Sequence, residues 1–350
     1  MKGKITKGYK EILLYKSAWK FSLAGALARL SFSSTLLALL YTIRHIYGSW
    51  TLASAISGSM LIISSILLPA TAFLIDKFGQ KIIGFCLTYL KVGSIIAVII
   101  LCHIKAPFVW TAISAFFICI FSVPYGSMVR RRWSYIIDKN DKGKIRSAFA
   151  LENTVDNLIY VIGPLLITFV INNISPELAL LIPALANFFG GTLLFIQTKT
   201  EPPKNKQKKV FLKNNLPNKN NIFKILDFCK KAKTSFLNNS NQISLVLIMI
   251  LLFSFYGAND ILARHIALSE NSLWLNGLII SSVSAFGILS SALFPYIKKS
   301  WSFYLSLLAI AVLALPISSQ NIYFFWANVC LCGFALSPIY ILADIIINEL

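Results

Sequence analysis

The sequence predicts an all-α integral membrane bundle with about ten transmembrane helices, and three observations predict it. Hydrophobic residues make up 57% of the 350, charged residues only 13%, and mean hydropathy is +0.71. That is more apolar surface than one soluble core of this length hides. The apolar residues fall in runs of roughly 20, the length a helix needs to cross the hydrocarbon core. The joints between alternate runs collect the basic residues, as cytoplasmic loops do.

Taken in order, the runs lie near 21–43, 51–75, 82–102, 108–129, 148–171, 177–197, 242–264, 272–296, 302–318 and 322–345. Each is about twice the length of a barrel strand and lacks polar/apolar alternation, so a β-barrel is rejected and helices satisfy the backbone in lipid. Lysines 2, 4, 7, 10, 16 and 20 precede the first run like the front of a signal peptide. The run is too long for one, is interrupted by Arg29, and is followed by many more, so it is a retained helix.

The formal charge of +20 is topological. With a cytoplasmic N-terminus, 28 of the 33 Lys and Arg fall on the inner side, which fixes the orientation by the positive-inside rule in a cell (cytoplasmic) membrane. Bases spread over every inner joint of a membrane protein exclude nucleic-acid binding as their purpose. The six cysteines, mostly inside spans and without paired spacing, are helix filler rather than disulfides or metal ligands.

The longest joint, rich in Lys and Asn, divides the chain into an N-terminal six-helix half (1–198), a basic cytoplasmic linker (199–241) and an incomplete C-terminal half of about four helices (242–350). Within the linker, residues 221–236 ("NIFKILDFCKKAKTSF") suit either a helix lying on the anionic leaflet or a solvated linker. Two landmarks repeat at one offset: Lys20 and Gln242 open spans one and seven, Asp76 and Lys298 open the turns after spans two and eight, and both pairs are 222 residues apart. Equal offsets suggest parallel repeats. Carried to Arg130, the offset ends just past Leu350, so two helices of an expected twelve are expected to be missing.

At the inner end of span two, "DKFGQK" (Asp76, Lys77, Phe78, Gly79, Gln80, Lys81) combines a carboxylate able to pair with helix termini, a glycine for a tight turn and bases that hold the loop inside. It resembles the loop signature of the major facilitator superfamily, G-x-x-x-D-R-x-G-R-R, with Ala72, Lys77 and Gln80 as departures. The resemblance implies a two-half bundle and a loop that latches the halves. Gly163 and Pro164 resemble that superfamily's Gly-Pro in the fifth helix, although the flanking glycines of its drug/proton antiporters are absent. "VPYGSMVRRRW" and "RSAFALENTVDNLIYVIGP" are similar to bacterial members of the family.

Intramembrane charges nominate the site, since each costs roughly 2.5–3.5 kcal/mol at a helix centre. Arg29, in the span that lines the cavity in the superfamily, is a candidate for holding an anionic substrate or pairing with an acid. Glu152 and Asp156 are four apart on one helical face, with Asn153 and Asn157 beside them. Two such acids suit proton coupling. Neutralisation by Arg130, Arg132 or Arg146, a gating or structural role, is the preferred expectation. Asp260 and Arg264, also four apart, read first as an intrahelical pair. Lys91 and Asp344 are flagged without a role. Trp50, Trp110, Trp133 and Trp301 stand at span ends, as an interfacial belt would.

The expected function is secondary transport of a small molecule by alternating access, with a proton as the candidate coupling ion and no cofactor. No Walker loop, metal spacing or nucleophile elbow occurs in the sequence. The rivals are an integral membrane enzyme such as a lipid-linked transferase, which wants a polar loop with clustered Asp, Glu or His, and an inactive truncated transporter.

Overall fold

The computed structural model describes residues 15, 18–138, 141–203, 257–258, 261–263, 265–266, 273–293, 301–318 and 321–349. Its helices are α1 (Ala18–Tyr47), α2 (Trp50–Phe78), α3 (Gln80–His103), α4 (Phe108–Ile120), α5 (Tyr125–Ile136), α6 (Lys142–Asn173), α7 (Pro176–Ala179), α8 (Leu181–Ile196), α9 (Leu273–Leu293), α10 (Trp301–Ser318) and α11 (Ile322–Glu349). Among the described residues seven segments are long and apolar enough to cross a membrane, and Gly277–Leu293 is a shorter apolar helix. The described residues up to 203 and from 263 onward belong to one compact unit. The seventh expected span, the basic linker and the amphipathic stretch at 221–236 lie almost wholly outside the described residues.

The helix ends are set by local chemistry. Ser49, Asp141 and Ser175 precede α2, α6 and α7, and each side-chain oxygen accepts from a backbone N–H in the first turn. Gly79, at φ 101°, closes α2 and opens α3, a backbone geometry that favours glycine. The fourth expected span is one candidate crossing, Phe108–Ile136, made of two helices interrupted at Phe121–Pro124. Pro124 has no N–H to continue the ladder, which explains the break.

Within this unit α1 is central, packing on α2, α5, α6, α7 and α8. Small residues allow this: a Cβ on Gly190 of α8 would stand 2.6 Å from the Cα of Ala28. Gly163 of α6 faces Ser33 and Ser34 of α1 with similar closeness. Two apolar clusters fill the space between these helices. One gathers Leu39, Ile43, Ile95, Ile118 and Leu180 toward one end, and the other gathers Phe21, Val129, Trp133 and Phe195 toward the basic end. Ile62, Ile66, Ile100, Val109, Trp110 and Phe169 remain exposed, as lipid-facing side chains do.

On the far side of α6 lie α9 and α11, which also pack on each other, with α10 against α11. The α6 seam is polar without being charged. Asn153 Nδ2 donates to Ser291 Oγ (3.0 Å), Asn157 Nδ2 to Ser337 Oγ (2.9 Å), and Ser281 Oγ to the Val161 carbonyl (2.9 Å).

Candidate functional site

Two acids and two arginines meet where α1, α5 and α6 converge. Helical spacing puts Glu152 and Asp156 on the same face of α6, and α1 presents Arg29 to both. Arg29 NH2 donates to Glu152 Oε2 at 2.5 Å and NH1 to Asp156 Oδ1 at 2.6 Å. Its Nε donates to the Gly25 carbonyl at 3.1 Å, so every nitrogen of the guanidinium is engaged. Arg130 of α5 donates from NH2 to the other Asp156 oxygen at 3.1 Å.

The two carboxylates differ in surroundings. Glu152 is 0% exposed, and its Oε1 also accepts from Ser22 Oγ (2.6 Å) and Trp133 Nε1 (2.7 Å). Three side chains from two helices therefore hold it, as a buried charge requires. Asp156 and Arg130 each keep 23% of their side-chain surface exposed, so this half of the cluster is reachable by water. Two positive and two negative charges balance, which is what permits charge at this depth.

Arg29, Glu152 and Asp156 are thus brought together, Arg130 supplies the neutralising partner anticipated for the acids, and Arg132 does not. Arg132 instead donates to Gln80 Oε1 (2.9 Å), the Gln197 carbonyl (2.9 Å) and Thr200 Oγ1 (3.1 Å). The side chains of Arg146 and Asp344 and the residues Asp260 and Arg264 lie outside what is described. Lys91 is buried in α3, with no ion pair recorded among the described residues.

The turn between α2 and α3 is held from its own neighbourhood. Asp76 pairs with Arg131, the Lys81 backbone N–H donates to Glu201 Oε1 (3.1 Å), and Gln80 receives Arg132. Lys77 lies over the Phe78 ring, 5.1 Å from its centroid. Pro164 interrupts the α6 ladder, and its carbonyl accepts from the Thr168 hydroxyl. Its neighbour Gly163 provides the close approach to α1.

Sequence reasoning missed Trp133, Ser22 and the serines of the seam. Trp133 is 0% exposed and bonded to Glu152, not part of an interfacial belt. The available signal was its place three residues beyond Arg130 on the polar helix "YGSMVRRRWSYI". Uncharged Ser22, Ser291 and Ser337 carried no signal.

Comparison with known proteins agrees with this architecture. The family model of the Major Facilitator Superfamily matches residues 10–350. Among solved structures, a bacterial homologue of the iron transporter ferroportin in an outward-facing state is similar at TM-score 0.65 and 15% identity, covering 95% of this chain and 84% of that one. The POT family transporter PepTSo is similar at TM-score 0.57 and 14% identity, covering 92% and 81%. A POT family transporter in complex with 5-aminolevulinic acid gives TM-score 0.57 and 14% identity, covering 94% and 83%. No curated protein matches the sequence.

Proposed function

Since the chain belongs to the Major Facilitator Superfamily, we propose that it moves a small molecule by alternating access, driven by protons exchanged at Asp156. Membership and the transporter neighbours make it a multi-pass membrane transporter, and they point away from an enzyme.

One observation carries the finer reading: the division of labour between the two acids. Glu152 is fully buried and held by three donors, a fixed anchor that clamps α6 to α1 through Arg29. Asp156 shares the same arginine, is partly exposed, and has Arg130 as a second partner. A proton on Asp156 releases part of the grip on both arginines, while Glu152 keeps Arg29 in place. Because all three nitrogens of Arg29 are occupied, its role is to position the acids, and substrate competes instead at the partly exposed Arg130–Asp156 edge.

Asn153 and Asn157 follow the acids by one residue and meet α9 and α11. In this reading α1–α8 form one half and α9–α11 belong to the other. The polar seam is where the halves part, and α6 carries the protonation state of Asp156 to it. The basic end, with Arg130, Arg131 and Arg132, faces the cytoplasm together with the N-terminus.

The test is uptake and efflux of a panel of labelled small molecules in proteoliposomes under an imposed proton gradient. Gradient-driven flux that Asp156→Asn uncouples from the gradient, with folded protein retained, is the expected result. Flux through Asp156→Asn as steeply dependent on the gradient as wild type refutes the assignment.

A further inference from the structure

Another buried cation, Arg132, has no ion-pair partner among the described residues. It is 0% exposed. Its NH2 has no hydrogen-bond acceptor, nor does the amide nitrogen of Gln80, which is itself 3% exposed. Glu201 is near enough to act on Arg132 electrostatically, but its Oε1 already accepts from the Lys81 backbone at the start of α3. Two neighbouring donors, one of them charged, are therefore desolvated without an acceptor, an arrangement that is costly unless an anion completes it.

Next to them is a cavity of about 390 Å³ lined by Tyr135, Ile136, Lys199 and Thr200. The Thr200 hydroxyl joins the two features. It accepts from Arg132 NH1 at 3.1 Å, and a hydroxyl that accepts still has its own O–H to donate. Lys199 is exposed beside it. NH1 and NH2 stand side by side on one planar fork, so an acceptor for NH2 must approach close to Thr200. Arg132 and Lys199 against Glu201 leave one net positive charge at the cavity.

We propose that this cavity, bounded by the end of α5 and the turn after α8, binds a phosphate-type anion. Lys199 and the Thr200 hydroxyl hold it, and the buried Arg132 guanidinium lies behind them. Three or more acceptor oxygens suit an ammonium and a hydroxyl converging from different directions, with the charge of the guanidinium behind them. The cavity is far larger than one water, whose share of liquid is about 30 Å³. Its place at the basic end of the bundle puts it where lipid headgroups lie, so the phosphate comes from either a phospholipid headgroup or free inorganic phosphate.

The test uses the full chain in nanodiscs at matched ionic strength and follows Tm. One arm adds inorganic phosphate to phosphatidylcholine discs, and the other replaces part of the lipid with phosphatidylglycerol. A saturable rise of a few degrees in the first arm identifies free phosphate, and a rise only in the second identifies the headgroup. Either rise must disappear in Lys199→Gln and persist in Lys144→Gln, an exposed lysine elsewhere at the same end. Arg132→Gln should also abolish it. If that variant does not fold, the exposed Lys199 decides the matter. No rise in either arm, or a rise that survives Lys199→Gln, overturns the proposal.

Discussion

Breaking the Arg29–Glu152 pair from one side should be far more costly than removing it from both. Glu152→Gln keeps the shape but removes the charge, leaving Arg29 and Arg130 to share Asp156 alone. It also presents an amide N–H where Ser22, Trp133 and Arg29 already donate. Uncompensating a buried ion pair costs about 3–5 kcal/mol, a large part of a typical folding free energy of about 5–15 kcal/mol. Arg29→Met leaves two acids facing Arg130 and falls in the same range. The double variant Arg29→Met/Glu152→Gln restores charge balance, because Arg130 and Asp156 remain as a pair 3.1 Å apart. Its loss should undershoot the sum of the single losses by about 2–3 kcal/mol, near the top of measured coupling energies. The assay is reversible unfolding in mixed micelles, scored as a double-mutant cycle. Additivity within about 0.5 kcal/mol would refute the clamp.

Three further outcomes follow from the packing. Gly190→Ala should destabilise by about 1–3 kcal/mol by driving a methyl into the α1 backbone, whereas Gly58→Ala, which meets nothing within 4 Å, should gain about 0.5–1 kcal/mol of helix propensity. The two Tm values measured side by side check this. Trp133→Phe keeps the ring against Phe21, whose centroid is 5.0 Å away, but leaves Glu152 one donor short, and should cost about 1–3 kcal/mol in thermal unfolding. In a cysteine-free background, Asn157→Cys with Ser337→Cys should cross-link under oxidation and arrest gradient-driven flux until reductant is added. Cross-linked protein that still transports would place the moving seam elsewhere.

Much of the fold was legible because a bilayer imposes a length on each element. The expected span 51–75 became Trp50–Phe78, and 177–197 became Pro176–Ile196. The fourth span ran on differently, since an apolar window carries no account of Pro124, and beyond it α5 continues to Ile136 with three arginines. For the same reason Trp133, placed at the membrane surface by its position in the run, proved to be core. Of the site, charge alone could nominate Arg29, Glu152 and Asp156, and helical spacing could join the two acids. Nothing local could say that Arg29 reaches across 123 residues to Glu152, because that depends on how α1 leans on α6. The small residues that allow the lean, Gly163 among them, were visible only as a motif. The Asn153–Ser291 contact left still less trace, since serine in an apolar run costs too little to stand out.

The proposed motion carries α1 and α6 as one body against α9, with the balance set by protonation of Asp156. It can be measured without knowing the substrate. Spin labels at Leu23 of α1 and Ser147 of α6 report the clamp, and labels at Ser147 and Leu289 of α9 report the seam, by double electron–electron resonance in nanodiscs. A single invariant distance is expected for the first pair. For the second, two populations are expected whose ratio changes with pH in wild type and is fixed in Asp156→Asn. One distance for the seam pair at every pH, or a first pair that moves as much as the second, would contradict it.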